Sequence, residues 1–200
     1  MSKELIDILD ENGVKTGEIA TRDEIHKKGL WHRAIVVAIV NEKNEILIQQ
    51  RSNNKEKNAG MWDISVAGHI STGQDALSAA AREINEEVSI NLGYHVDIKA
   101  FRYMLSYCIE EKFSNHFIER QFYDFFILRK EGIKVENIKM QESEVQAIKW
   151  IDINKLLDMR EKKTIVERKP VYDELINYLN RYSINPCYSF VCYYFFVCLV

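Results

Sequence analysis

The chain has 200 residues, 46% of them hydrophobic and 28% charged, with a formal net charge of −3. These are the proportions of a soluble globular domain large enough for a proper core. Lysines and arginines are scattered among acids, which excludes a broad basic footprint for nucleic acid but not a small phosphorylated ligand.

In chain order, Glu4 to Leu9 alternates toward a first strand, Asp10-Glu11-Asn12-Gly13 is a turn signal, and the chain returns through Gly17 to Thr21. The charged opening lacks the apolar run of a signal peptide, so a cytoplasmic location is expected. Arg22 to Lys28 is a short polar helix candidate. The apolar stretch from Trp31 to Val40 predicts a strand buried on both faces, and Asn41-Glu42-Lys43-Asn44 turns it into a strand from Glu45 to Arg51. Residues 52 to 60 are a polar loop. A strand over Ile64-Ser65-Val66-Ala67 then enters a loop bracketed by Gly68 and Gly73, where Ser71 and Thr72 are candidates to cap the next helix.

On that helix Glu83, Glu86 and Glu87 stand at i, i+3 and i+4, and at about 100° per residue they share an arc of about 100°. Leu77, Ala81, Ile84 and Val88 line the adjacent stripe, so the helix buries one side and presents acids on the next. Clustered carboxylates raise one another's pKa unless a cation neutralises them, and oxygen ligands suit Mg²⁺ or Mn²⁺. The alternative is a solvated acidic face, with Arg82 and Glu86 as an ordinary i,i+4 pair.

Beyond the helix, Tyr94 to Cys108 and Arg120 to Arg129 are aromatic-rich strands expected to pair as a hairpin. Glu144 to Ile151 is a further strand, and Asp152 caps a short helix to Met159. Val171, Leu175, Tyr178, Leu179 and Tyr182 form one side of an amphipathic helix. After Pro186 the segment CYSFVCYYFFVCLV carries no charge. It is shorter than the roughly 20 residues of a membrane span, and is open to an extra strand, a contact such as a homodimer interface, or an aggregation-prone end. Cys108, Cys187, Cys192 and Cys198 show no zinc-type spacing and are expected to be free thiols. The element order predicts an α+β domain, a mixed β-sheet between helices. Its expected parts are an N-terminal β-hairpin (1–29), a core (30–160) and a C-terminal helix (166–182), in one domain over 1–182 with an apolar tail over 183–200.

Strand, glycine-bearing loop and acidic helix together resemble the Nudix signature: Gly, five residues, Glu, seven residues, Arg-Glu, an aliphatic, any residue, Glu-Glu, any residue, Gly and an aliphatic. Gly68, Arg82, Glu83, Ile84, Glu86, Glu87 and Ile90 fall in register, with Gln74 at the first Glu position and Ser89 at the last Gly. The resemblance implies an α/β/α sandwich and a Mg²⁺-dependent hydrolase, with Mn²⁺ as a substitute, acting on a nucleoside diphosphate linked to another moiety. It implies Glu83, Glu86 and Glu87 as metal ligands, with Glu86, Glu87 and Glu144 catalytic. Glu144 is preferred to Glu142 as the extra base or ligand, and Arg82 is expected to orient a glutamate. Arg51 and Lys55 are candidates to grip a diphosphate, or else ordinary exposed basic residues. His69 is a candidate substrate-binding residue, and Trp62 and Tyr103 are candidates to stack on a base if they are not core.

Within the same superfamily the chain is also similar to isopentenyl-diphosphate isomerases, in its hairpin, in His26 and His32 around Trp31, and in Arg51, Lys55 and Gly68-His69. Those enzymes carry a cysteine immediately before the Gly-His pair, where this chain has Ala67, and draw two glutamates from a later strand to the metal, where Glu119-Arg120-Gln121 offers one. Without the thiol, isomerisation has no obvious acid, and hydrolysis is favoured. Core or exposed positions are the plain alternative for the histidines. A non-catalytic nucleotide-binding module is a third reading, compatible with Gln74 and Ser89 and opposed by the retained acidic triplet.

Overall fold

A computed structural model of the chain describes residues 4–88, 100–114 and 116–184. They fall in two compact units, Met1–Glu167 and Arg168–Val200.

The first unit opens with the predicted hairpin, β1 (Leu5–Leu9) and β2 (Lys15–Thr21), followed by α1 (Arg22–Lys28). Thr21 and Glu24 form a reciprocal capping box at the start of α1, and Gly29, at φ 63°, ends it in the left-handed region. Ile6, Ala20 and Ile25 form a small core of their own.

The hub of the sheet is β3 (Trp31–Val40), which pairs in parallel along its whole length with β8 (Phe117–Arg129) and antiparallel with β6 (Val66–His69). A second limb joins β4 (Ile46–Arg51) to β5 (Trp62–Ile64) and β9 (Val145–Ile151), and β7 (Phe101–Ser114) pairs with β8 as the predicted hairpin. Parallel and antiparallel pairings in one sheet make it mixed, as expected. Ile35, Val37 and Ile39 on one face of β3, and Ala34, Val36 and Ala38 on the other, are all buried, which is why the strand is continuously apolar.

The strand predicted over Ile64–Ala67 is interrupted at Ser65. Its hydroxyl accepts from the Ile39 amide at 2.8 Å and donates to the Leu47 carbonyl at 2.5 Å, so it joins β3 to β4 and divides β5 from β6. The helix that follows, α2 (Ala76–Glu83), is capped by Asp75 and not by Ser71 or Thr72. Asp75 sits next to the first helical residue, and its carboxylate accepts from the Ser78 amide at 2.9 Å, whereas Ser71 bridges to Ile6 and donates to Glu4 at 3.2 Å. Ala79, Ala80, Ile84 and Val88 are the fully buried residues against β3, while Leu77 and Ala81 of the predicted stripe are half-buried. After Glu83 the helix widens into a π-helical turn, Ile84–Val88.

Asp152 caps α3 (Ile153–Glu161) as predicted. In the second unit, α4 (Lys169–Ile184) buries Val171, Tyr172, Leu175, Tyr178 and Leu179. Cys108 is an exposed free thiol. Ser89, Ile90, Tyr94, Cys187, Cys192, Cys198 and most of the apolar tail lie outside the described residues, as does the Tyr182 side chain. Among the described residues no helix is long and apolar enough to cross a membrane.

Candidate functional site

Gly68 ends the approach of β6 to α2. A Cβ there would lie 2.2 Å from Glu83 Cδ and 2.2 Å from Glu83 Oε1, so only glycine lets that carboxylate rest against the strand. Arg82 then binds the loop and helix together. Its guanidinium donates to the His69 carbonyl at 2.9 Å, to Gln74 Oε1 at 3.3 Å and to Glu86 at 3.1 Å, and pairs with Glu83 at 2.9 Å. Gln74 therefore still supplies an oxygen acceptor in place of the signature glutamate. Arg82 thus contacts two of the three acids, Glu83 and Glu86.

The acids do not form the exposed face that an ordinary α-helix predicts. Glu83 and Glu87 are buried, and Glu86 alone is exposed. Burial pushes the Glu83 carboxyl up to about 7, against the pull of Arg82. Glu87 is driven well above the usual carboxylate range by burial first and by the charge of Glu83 second, although Gln49 Nε2 donates to it at 3.1 Å. Arg82 is divided between Glu83 and the exposed Glu86, and Glu87 accepts from the neutral amide of Gln49, so this oxygen donor set fits a hard divalent cation such as Mg²⁺ or Mn²⁺.

The loop over 52–60 closes one side of this cluster. Lys55 pairs with Glu144, whose charge also acts on Glu87, and the Ser52 amide donates to the Glu144 carbonyl at 2.9 Å. Lys57 pairs with Glu119 of β8, and its ammonium lies 4.1 Å from the centroid of the Phe113 ring. Arg51 is turned onto its own loop: Nε and Nη2 both donate to the Lys57 carbonyl at 3.2 Å, and Nη1 is 3.6 Å from Asp63. The basic residues proposed to grip phosphate are thus half-buried and engaged with protein acceptors, not ordinary solvated charges. Trp62 is covered by the Lys149 ammonium, 3.8 Å above its ring. Tyr103 stands on β7, its hydroxyl 2.9 Å from Ser106 Oγ. Glu142 is exposed.

Three histidines converge from three elements: His26 of α1, His32 of β3 and His69 of β6. One ring nitrogen of each lies within 4.8 Å of those of the other two. His26 also stacks on Phe117 at 4.3 Å. The Leu30 carbonyl accepts from His32 Nδ1 at 3.0 Å, which leaves Nε2 as the acceptor-type nitrogen. Neither ring nitrogen of His26, nor Nε2 of His32, has a well-formed hydrogen bond among the described residues. Burial lowers His26 to about 4 and pulls His32 and His69 down as well, so the three stand as neutral imidazoles, the form that ligates metal. The charge of Glu119 opposes that shift at His26 and His32. Gln121, opposite His32 in the β3–β8 pairing, is buried. The ring of His69 belongs to this cluster, with Nδ1 4.0 Å from Glu4, and its carbonyl accepts from Arg82. Spacing along the chain gives no sign of the convergence; its sequence trace is the shared layout of His26 and His32 around Trp31 and of Gly68-His69.

The family model of the NUDIX domain matches residues 30–175. "Nudix hydrolase 3" of Arabidopsis thaliana is 37% identical over 153 residues, covering 76% of this chain but only 19% of that much longer protein. "Isopentenyl-diphosphate Delta-isomerase 2" of Photorhabdus laumondii is 29% identical over 153 residues, 76% of this chain and 80% of the isomerase. Among solved structures, one from Deinococcus radiodurans superposes with a TM-score of 0.61 at 18% identity, over 89% of this chain and 98% of the other, a likeness of fold.

Proposed function

The chain belongs to the Nudix family, and from that premise we propose that it is a Mg²⁺-dependent hydrolase cleaving the diphosphate of a nucleoside diphosphate linked to another group. The observation that carries this reading is the burial of Glu83 and Glu87 side by side. Carboxylates at that depth are tolerated where a cation completes them. Glu83, Glu86 and Glu87 would hold the ion, which when bound neutralises phosphate charge and acidifies water. Mn²⁺ fits the same donors.

The chain's own residues prepare that site. Arg82 sets the direction of Glu83 and Glu86, and Gln49 does so for Glu87. Arg51, at the end of β4, and Lys55, on the loop that follows, exchange their present acceptors for phosphate oxygens, with Arg51 able to bind two at once. Release of Lys55 frees the Glu144 carboxylate to take a proton from the attacking water.

A panel of nucleotide sugars, dinucleotides, nucleoside triphosphates and isopentenyl diphosphate, offered to the purified protein with Mg²⁺, tests this. Turnover that persists in chelator, or that Glu86→Gln and Glu87→Gln leave undiminished, overturns it. Isomerisation is a second reading, supported by the three converging histidines and opposed by Ala67, which carries no proton to exchange with carbon. Appearance of the isomer from isopentenyl diphosphate would reverse the order of the two.

A further inference from the structure

Gln49 is polar where the fold asks for an apolar residue. It follows Ile46, Leu47 and Ile48 on β4, all fully buried, and is itself 5% exposed on the face that carries Leu47 into the core with α2. The two ends of its amide are treated differently. Nε2 donates to Glu87 Oε2 at 3.1 Å, whereas Oε1 is buried with no hydrogen-bond partner among the described residues. Its neighbour across the β4–β5 pairing is Asp63, which accepts from the Ile64 amide and lies 3.6 Å from Arg51 Nη1. A buried acceptor left open is costly, and such an atom is ordinarily met by a water or a ligand.

Support of Glu87 alone does not account for this residue. A lysine or arginine at position 49 would offset the buried charge more strongly than a neutral amide does. The amide holds one oxygen of Glu87, leaves that carboxylate its charge for a cation, and brings an open acceptor to within one side chain of it. Glu144 borders the same carboxylate, near enough for its charge to act on Glu87.

We propose that Gln49 Oε1 accepts from the water that attacks the diphosphate, so that the residue fixes Glu87 with one end and the nucleophile with the other. The inference rests on the reading of Glu83, Glu86 and Glu87 as the ion's holders. The attacking water has two O–H bonds. One proton passes to Glu144 as the oxygen–phosphorus bond forms and the bond to the departing phosphate breaks, the leaving oxygen keeping the electron pair. The other O–H is held by Gln49 and stays on the product phosphate. Gln49 therefore selects a nucleophile with a second proton: an alcohol that gives its proton to Glu144 presents carbon to Oε1 and leaves that buried acceptor unpaired.

The test compares the full-length wild type with Gln49→Met and Glu87→Gln, methionine keeping the length of the side chain without either polar end. Mn²⁺ is titrated into each, with electron paramagnetic resonance reading affinity and oxygen-17 relaxation reading the exchange of water on the bound ion. The part lost in Glu87→Gln belongs to the acidic cluster. Gln49→Met is expected to weaken that part about tenfold and to speed its water exchange about tenfold, a readout that needs no turnover. With the nucleotide of the panel that turns over fastest, kcat is expected to fall about a hundredfold with KM within about threefold. In mixed water and methanol the share of methyl phosphate ester is expected to rise at least about threefold. A residue that only supports Glu87 would lower affinity and rate but leave water exchange and product share as in wild type, and that result overturns the proposal while the hydrolase reading stands. Absence of any Glu87-dependent Mn²⁺ binding overturns both. Should Gln49→Met fold poorly, Gln49→Leu takes its place.

Discussion

Replacing Gly68 by alanine should separate the site from the stability of the fold. The new methyl carbon would meet Glu83 Cδ and Oε1 at 2.2 Å and Cγ at 2.7 Å. An ordinary carbon contact needs about 3.5 Å, so the carboxylate must retreat by more than about 1 Å or swing out of the cleft. Misplacement on that scale costs a catalytic group about a hundredfold in rate. Stability should change little, by about 1 kcal/mol at most, because the loss of the 2.9 Å pair with Arg82 is offset by release from the burial that holds Glu83 near a pKa of about 7. Mg²⁺-dependent turnover on the best substrate, Mg²⁺ binding by calorimetry and thermal unfolding would be read on Gly68→Ala beside wild type. Turnover within twofold of wild type refutes the close-approach argument, and so does a loss of activity that merely follows a loss of folded protein.

Glu87→Gln removes a buried charge while keeping the shape, and in chelator it should raise the melting temperature by a few degrees, about 1–2 kcal/mol, as it abolishes Mg²⁺-dependent turnover. Arg82→Ala should cost about 2–4 kcal/mol in urea unfolding, since four acceptors lose one donor, and Arg82→Lys should recover less than half because an ammonium cannot fork. The metal-free protein should also depend on pH through Glu83, whose folded pKa of about 7 lies above the ordinary glutamate value of 4.5. Its contribution is full below about pH 4.5 and is lost as the pH rises through about 7; His26, lowered to about 4, works in the other sense and loses stability as pH falls from about 6.5. The difference in unfolding free energy between wild type and Glu83→Gln cancels the histidine part, and should move by about 1–3 kcal/mol between pH 5 and 8 in chelator but not in excess Mg²⁺.

The apolar run of β3, the hairpins and the Asp152 cap were legible because each is a local pattern with one cheap solution. The acidic helix was legible as a signature, yet its geometry was not. An α-helix places Glu83, Glu86 and Glu87 on one arc, and the π-helical turn does not, so Glu86 faces solvent while Glu87 goes under Gln49. The cap was misread because Ser71 and Thr72 are good capping residues that the β1 contact claims first. His26, His32 and His69 appear together in the sequence only through the resemblance to isomerases, and taken singly each reads as a core or exposed residue; the pairing of β3 with β6 and the position of α1 join them. Lys57 and Glu119 lie 62 residues apart and are unremarkable in composition.

The π-helical turn makes this site sensitive to length as much as to chemistry. The wider turn sets the phase between α2 and the residues after it. Asn85 belongs to the turn that accommodates one residue more than an α turn, so losing it with a return to α geometry would leave Glu87 close to its present direction, whereas keeping every residue in α geometry would turn Glu86 and Glu87 relative to Glu83. Chain length and turn type together therefore set whether a chain that still carries Glu83, Glu86 and Glu87 keeps the cleft armed. In comparing relatives of this protein, the count of residues between Arg82 and Val88 is as informative as their identity.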